Sequence, residues 1–122
     1  VNRFNVLLML LCTCLFLGGC ADPFAGDWQG SGIDSKGNEF TFAAKVIEQG
    51  NHQYRMLVLD SLDTENEPMH VMDGVLKGNR FPYTADEGTY TGGGTLDGDT
   101  FEGYYKGPVD GTFKMKRVVE KE

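Results

Sequence analysis

The residues of this chain that could do chemistry are two histidines, three cysteines, one crowded set of carboxylates and five tyrosines. Nucleophilic catalysis needs a base held beside a nucleophile. His52 follows Gly50-Asn51 at a turn, where a polar ring is solvated, and His70 lies in a strand-like run on the same face as Met72. Neither belongs to an H-E-x-x-H, and the chain holds no G-x-S-x-G and no P-loop. Asp60, Asp63, Glu65 and Glu67 crowd one polar loop and offer the oxygen ligands that Ca²⁺ takes. The EF-hand spacing and its central glycine are missing there, so the loop reads as solvated. Asp97 and Asp99 flank Gly98 and are accounted for by a turn. Tyr83, Tyr90, Tyr104 and Tyr105 either line a ligand-facing wall or cap a core with the hydroxyl in water. His70, Tyr83, Tyr90 and Tyr105 are therefore the candidates for ligand or partner contact. No metal site and no cofactor is implied.

The cysteines carry a different chemistry. Val6 to Leu17 is an apolar run broken only by Thr13, behind the single charge of Arg3. Its length as a helix is about 18 Å, short of the roughly 20 apolar residues that span a bilayer. Length and basic flank suit a secretory leader. The run closes on Leu17-Gly18-Gly19-Cys20. That motif resembles the lipobox of bacterial lipoprotein precursors. The resemblance implies cleavage before Cys20, lipid on its thiol and amine, and a place in the bacterial cell envelope. Ala21, rather than Asp, follows the cysteine, which by similarity to enteric sorting signals favours the outer membrane. Cys12 and Cys14 leave with the leader, so the mature domain keeps no free thiol for a disulfide, a thiolate metal site or a nucleophile. The organisation expected is a signal peptide over 1–19, a lipidated N-terminus and short tether over 20–25, one β domain over 26–119 and a tail over 120–122.

The formal net charge is −7, and loss of the leader removes only Arg3 from the basic count. That argues against a nucleic-acid partner and against electrostatic attachment to anionic lipid. Seventeen glycines among 122 residues exceed the usual share. Most stand beside Asp, Asn or Lys between short alternating segments, the pattern of hairpin turns. No helical stripe follows the leader. Eight strand-like pieces recur instead: GDWQGSGI, EFTFAAKVIE, HQYRMLVLD, PMHVMDGVL, RFPYT, TYTGGGTL, TFEGYYK and TFKMKRVV. Their spacing predicts an all-β, antiparallel up-and-down meander, closed or nearly closed into a barrel.

An internal repeat fixes part of the register. Gly74-Val75-Leu76-Lys77-Gly78-Asn79-Arg80-Phe81 returns as Gly94-Thr95-Leu96-Asp97-Gly98-Asp99-Thr100-Phe101. Two-residue turns at Gly78-Asn79 and Gly98-Asp99 place Leu76 opposite Phe81, Leu96 opposite Phe101 and Gly94 opposite Gly103. The run Gly92-Gly93-Gly94 marks either a sharp corner or the close approach of a ligand. Around Gly74 the same register puts His70 and Met72 on the Leu76 face and turns Val71 and Val75 away. Either a bulge intervenes there or both faces are partly covered. The interior expected is Trp28, Phe40, Phe42, Val46, Leu76, Phe81, Leu96, Phe101, Phe113 and Met115.

Gly26-Asp27-Trp28 at the start of the first strand resembles the G-x-W opening of lipocalins and related barrels. In that family the Trp packs across the closed end beneath an arginine from the last strand, and Arg117 stands where that residue would be. The resemblance implies barrel closure by Trp28 and Arg117. It does not extend to the family's C-terminal helix or disulfide.

Together these readings describe a lipid-anchored envelope domain that binds rather than catalyses. The leading reading is contact with an envelope protein or polysaccharide through the outer sheet surface or the 60–67 loop. The alternative is a lipocalin-like carrier or sensor of a small ligand, which requires an interior cavity of several hundred Å³. A hydrolase using paired carboxylates is a third, distant reading.

Overall fold

The computed structural model describes residues 22–119. The proposed leader and the lipobox residues Leu17, Gly18, Gly19 and Cys20 lie outside the described residues, as does the tail over 120–122. Eight strands follow one another: β1 (Gly26–Asp34), β2 (Glu39–Glu48), β3 (Gln53–Leu59), β4 (His70–Val75), β5 (Tyr83–Ala85), β6 (Tyr90–Asp97), β7 (Thr100–Lys106) and β8 (Gly111–Arg117). Each pairs antiparallel with the next, and β8 returns to β1, so the sheet closes as an up-and-down barrel. Closure leaves no edge strand exposed. Among the described residues there is no helix.

The repeat folds as its register requires. Gly78 and Gly98 have φ of +63° and +61°, while Asn79 and Asp99 stay at negative φ, the II′ pattern. Leu96 pairs with Phe101 and Gly94 with Gly103. In the first copy Lys77 and Arg80 bridge across the turn, and Met72↔Ala85 and Gly74↔Tyr83 continue the same register. The register that sets Leu76 opposite Phe81 therefore holds, although the ladder breaks between them and β5. Pro82, which has no N–H to donate, sits at that break. No bulge is needed at Gly74. Met72 and Leu76 face the core, Val71 is half-buried and Val75 exposed on the outer face.

Alternation puts Trp28, Phe42, Val46, Phe81, Phe101, Phe113 and Met115 inside, together with Ala44, Tyr54, Met56, Met72, Tyr83 and Ala85. Phe40 departs from the expected core. It shares the inward face of β2, but it lies at the start of the strand and is 36% exposed because that end of the barrel is open.

Room for so many rings comes from glycine. A Cβ on Gly30 would fall 2.6 Å from the Phe42 ring, and one on Gly103 would fall 2.6 Å from Phe113. The glycine triplet works the same way: Gly92 makes space for Tyr83, Gly94 for Phe101, and Tyr104 lies across Gly93 on the outside. Overpacking a fitted core by one methyl costs about 1–3 kcal/mol. Gly94→Ala should therefore lower the unfolding free energy by about that amount. Urea denaturation should show a lower midpoint at unchanged slope.

Candidate functional site

The two ends of the barrel differ in chemistry. At one end the chain seals its own barrel. Asp22 precedes Pro23 and folds its carboxylate back to accept the amides of Phe24 (2.8 Å) and Ala25 (2.7 Å), an Asx-type turn. This drives Phe24 into the barrel, where it is 0% exposed and packs on Trp28, Tyr54, Phe81 and Phe101. The segment expected to be part of a tether is, from Asp22 onward, a plug.

Trp28 donates from Nε1 to the Phe24 carbonyl at 3.0 Å, and its ring lies 4.6 Å beneath the Arg117 guanidinium. Such stacking contributes about 0.5–2 kcal/mol, depending on desolvation. Arg117 also donates to the carbonyls of Ala25 (2.7 Å) and Pro23 (2.5 Å) and to Asp99 Oδ1 (3.1 Å). Gly26, at φ +133°, leaves space for that guanidinium, since a Cβ would stand 2.8 Å from Arg117 Nη1. Besides covering the indole, Arg117 thus ties the last strand to the plug by two hydrogen bonds and to the β6–β7 turn by a third.

Desolvation raises the Asp22 carboxyl, but the Ala25 and Phe24 amides, the Tyr54 hydroxyl and the Arg117 charge outweigh it and hold it below its ordinary value. Tyr54 donates to Asp22 at 2.8 Å; burial first, then that hydrogen bond and the Asp22 charge, push its phenol well up.

The opposite end is open. Asp34, Phe40, Val58, His70, Ala85, Tyr90, Tyr105 and Gly111 stand at or near strand ends here, joined by the loops 35–38, 60–69, 86–89 and 107–110. The 60–67 carboxylates belong to this rim, where Asp60 accepts from Asn66 Nδ2 and Asp63 from the Ser61 hydroxyl. Among the described residues no three His, Cys, Asp or Glu side chains converge as metal ligands. Between the rim and the core lies a cavity of about 400 Å³, floored by Met56, Met72 and Phe113 and walled by aromatic rings. His70, Tyr83, Tyr90 and Tyr105 all line it, although they come from four different strands. Met69, 49% exposed, reaches in from the long loop.

His70 and Asp86 form a pair at the rim, Nδ1 to Oδ2 at 2.6 Å, while Asp86 Oδ1 accepts the Val71 amide at 3.0 Å. Asp86 and Glu87 both take positive φ, +52° and +59°, in a tight turn that aims this carboxylate back at β4. Left-handed backbone at a non-glycine residue costs on the order of 1–3 kcal/mol, and Asn51 and His52 in the β2–β3 turn adopt it as well. Burial raises the Asp86 carboxyl, but the His70 hydrogen bond, the Val71 amide and the His70 charge bring it below its ordinary value. Tyr83 donates to the Tyr104 carbonyl at 2.7 Å; burial above all, then the neighbouring Tyr104 and Tyr105, pushes its phenol up. Tyr105 is raised by burial and then by the charge of Asp34, by Tyr90 and by the charge of Asp110.

Sequence reasoning missed Phe24 and the Asp86 partner of His70. The Asp22-Pro23 turn and the alternation of β3 were the signals available for the plug and for Tyr54 and Met56.

No family model and no curated protein matches the chain. Solved structures do resemble it. A redesigned β-barrel, b11L5F_LGL, superposes with a TM-score of 0.61 at 14% identity, covering 78% of this chain and 91% of that one. The redesigned barrel mFAP1, bound to DFHBI, gives 0.60 at 13% identity over 76% and 94%. A de novo designed fluorescence-activating β-barrel gives 0.56 at 15% identity over 84% and 100%. At these identities the likeness is one of fold: the chain is a closed, eight-stranded antiparallel β-barrel.

The plug sets two expected outcomes. Phe24→Ala should cost about 3–5 kcal/mol in urea denaturation. Because the folded Asp22 carboxyl sits below its unfolded value, its contribution is present above the ordinary carboxylate range and lost as pH falls from about 5 towards 2. Asp22→Asn should therefore be less stable near neutrality, with a shallower acid-side loss than the parent chain.

Proposed function

We propose that this protein is a lipid-anchored binding protein of the bacterial envelope that takes a small, largely apolar ligand into the open end of its barrel. The observation that carries the ligand is the cavity of about 400 Å³. It lies within the range of small-molecule sites and is apolar with a few polar groups at its mouth. Two of the designed barrels of similar fold are described as bound to DFHBI, which shows what such a fold accommodates in those proteins.

The lipid anchor rests on the lipobox ending at Cys20. Asp22, two residues further on, is fixed to the sealed end by its hydrogen bonds to Phe24, Ala25 and Tyr54. Two residues reach at most ~7 Å. A lipid on Cys20 therefore sets the sealed end against the bilayer and turns the mouth away from it. The binding reading is supported at the rim by aromatic rather than nucleophilic company: beside the His70–Asp86 pair the neighbouring ring is Tyr90, edge-on at 5.7 Å.

Contact through the outer surface keeps one supporting observation. Tyr104 is 48% exposed and lies over Gly93, a platform of the kind a sugar ring stacks on.

The test uses the full chain in nanodiscs of zwitterionic lipid, with empty discs as blank. The neutral dye N-phenyl-1-naphthylamine should saturate at one site per chain, and Ala85→Trp or the rim change Val109→Trp should abolish that signal. No saturable uptake by the parent chain overturns the cavity reading and turns attention to Tyr104. Separately, labelled fatty acid should enter the expressed protein and be lost in Cys20→Ala. Its failure to enter the parent chain overturns the anchor.

A further inference from the structure

We infer that the cavity is selective for a ligand carrying one positive charge, an amine or quaternary ammonium, on a flat apolar body. The inference rests on the cavity being a binding site and adds the class of ligand. Its basis is the collar of rings around the mouth and the sign of the charge beyond it.

Four rings form an unbroken arc of this collar. Phe40 meets Tyr105 at 6.3 Å and 61°, Tyr105 meets Tyr90 at 5.9 Å and 77°, and Tyr90 meets His70 at 5.7 Å and 82°. Each ring is steeply inclined to the next, so faces and edges alternate around the opening. A ring face carries the negative part of the aromatic quadrupole, and a cage of such faces is how proteins hold ammonium groups without a formal ion pair. Tyr90, Tyr105 and Phe40 remain partly exposed while the Phe42 and Phe113 rings below them are buried. A flat apolar body would lie against that deeper pair, and the polar head would stop at the collar.

Charge decides which head. Among the described residues no lysine or arginine lines the cavity, and Asp34 is its one carboxylate. The Asp34 carboxylate is fixed at the rim by the amides of Lys36 and Asn38 (both 2.9 Å) and by Asn38 Nδ2 (3.1 Å). Asp110, on the loop 107–110, is held by the Gly107 amide, and its carbonyl accepts the Ser35 amide, so both acids stand on one side of the mouth. The fields of both reach the Tyr105 hydroxyl. Across the opening the His70–Asp86 pair adds a third carboxylate. The positive groups at this end are Lys36, beside Asp34 on the first turn, and His70 when protonated. Lys106 closes β7 here too, but it is exposed on the outward face, opposite to that of Tyr105. An anionic head, such as a fatty-acid carboxylate, would meet the Asp34 carboxylate in the cavity wall, with Asp110 and Asp86 beyond it at the rim, and no arginine. The chain's net charge of −7 adds long-range attraction for a cation.

Three dyes of similar size separate the alternatives in the same nanodisc format: thioflavin T (cationic), N-phenyl-1-naphthylamine (neutral) and 1-anilinonaphthalene-8-sulfonate (anionic). Thioflavin T should bind at least about tenfold tighter than the sulfonate, with the neutral dye between them, and high salt should narrow the gap. Asp34→Asn should weaken thioflavin T about three- to tenfold more than it weakens the neutral dye. Tyr90→Leu, which leaves the rim acids in place, should weaken the cation more than the neutral dye. Equal or tighter binding of the sulfonate overturns the charge selectivity and leaves the cavity standing. So does an equal loss for all three dyes in both variants. If no dye binds at all, the cavity reading falls and this inference falls with it.

Discussion

The fit of aromatic rings onto bare glycine backbone is the constraint on which the rest of this barrel depends. An eight-stranded barrel is only just wide enough for its own side chains to fill. This chain sends Phe42, Phe81, Tyr83, Phe101, Phe113 and Tyr105 inward, which would overfill the interior if each faced another large side chain. Instead each lies against a glycine on an adjoining strand: Gly30, Gly74, Gly92, Gly94, Gly103 and Gly111. The glycines weaken their strands locally, and the rings cover the gaps with buried apolar area. Strand curvature, ring closure and core packing are thus one solution rather than three.

The same constraint explains why the ends differ. Towards the sealed end the rings are supplemented by Phe24, a residue from outside the sheet, and Asp22 and Arg117 fasten it there. Towards the mouth the described residues outside the sheet insert no ring, and only Met69 and Val109 reach the cavity from the loops. The ring collar ends in solvent, and the space an additional plug would occupy is the cavity. A barrel with one stopper is left with one open end, bounded by the rim acids and the Tyr90–Tyr105 pair.

Much of this was legible in the sequence because alternation and turn chemistry are local. The repeat at Gly78-Asn79 and Gly98-Asp99 defined two hairpins, and the period of two in EFTFAAKVIE separated the faces of β2. Closure itself was legible as spacing and through the resemblance carried by Gly26-Asp27-Trp28 and Arg117. Phe24 was legible only as far as the Asp22-Pro23 turn ahead of it, because a single aromatic outside any periodic segment carries no further signal of where it packs. Phe40 follows a pattern that knows the face of a strand but not how near its end lies to water. The His70–Asp86 pair depends on the β4–β5 register and on two left-handed residues in the 86–89 turn. Neither is written in the residues around His70. The four candidate contact residues share only their polar-ring chemistry in the sequence, and it took the closed topology to bring them to one mouth.

Closure of β8 onto β1 also makes the strand order nearly arbitrary. The β1–β8 seam is an ordinary antiparallel ladder running from Trp28↔Arg117 to Asp34↔Gly111, as long as its neighbours. Val118 donates to the Asp27 carbonyl and Arg117 bonds to Pro23, so the first and last strands meet their flanking segments side by side at the sealed end. The barrel is a ring cut at one place. The cut could be moved to the long loop between β3 and β4, and the old ends joined across the stopper, without breaking a single rung. What singles out the present cut is Phe24: it leaves the residues ahead of β1 free to fold back and cork the barrel.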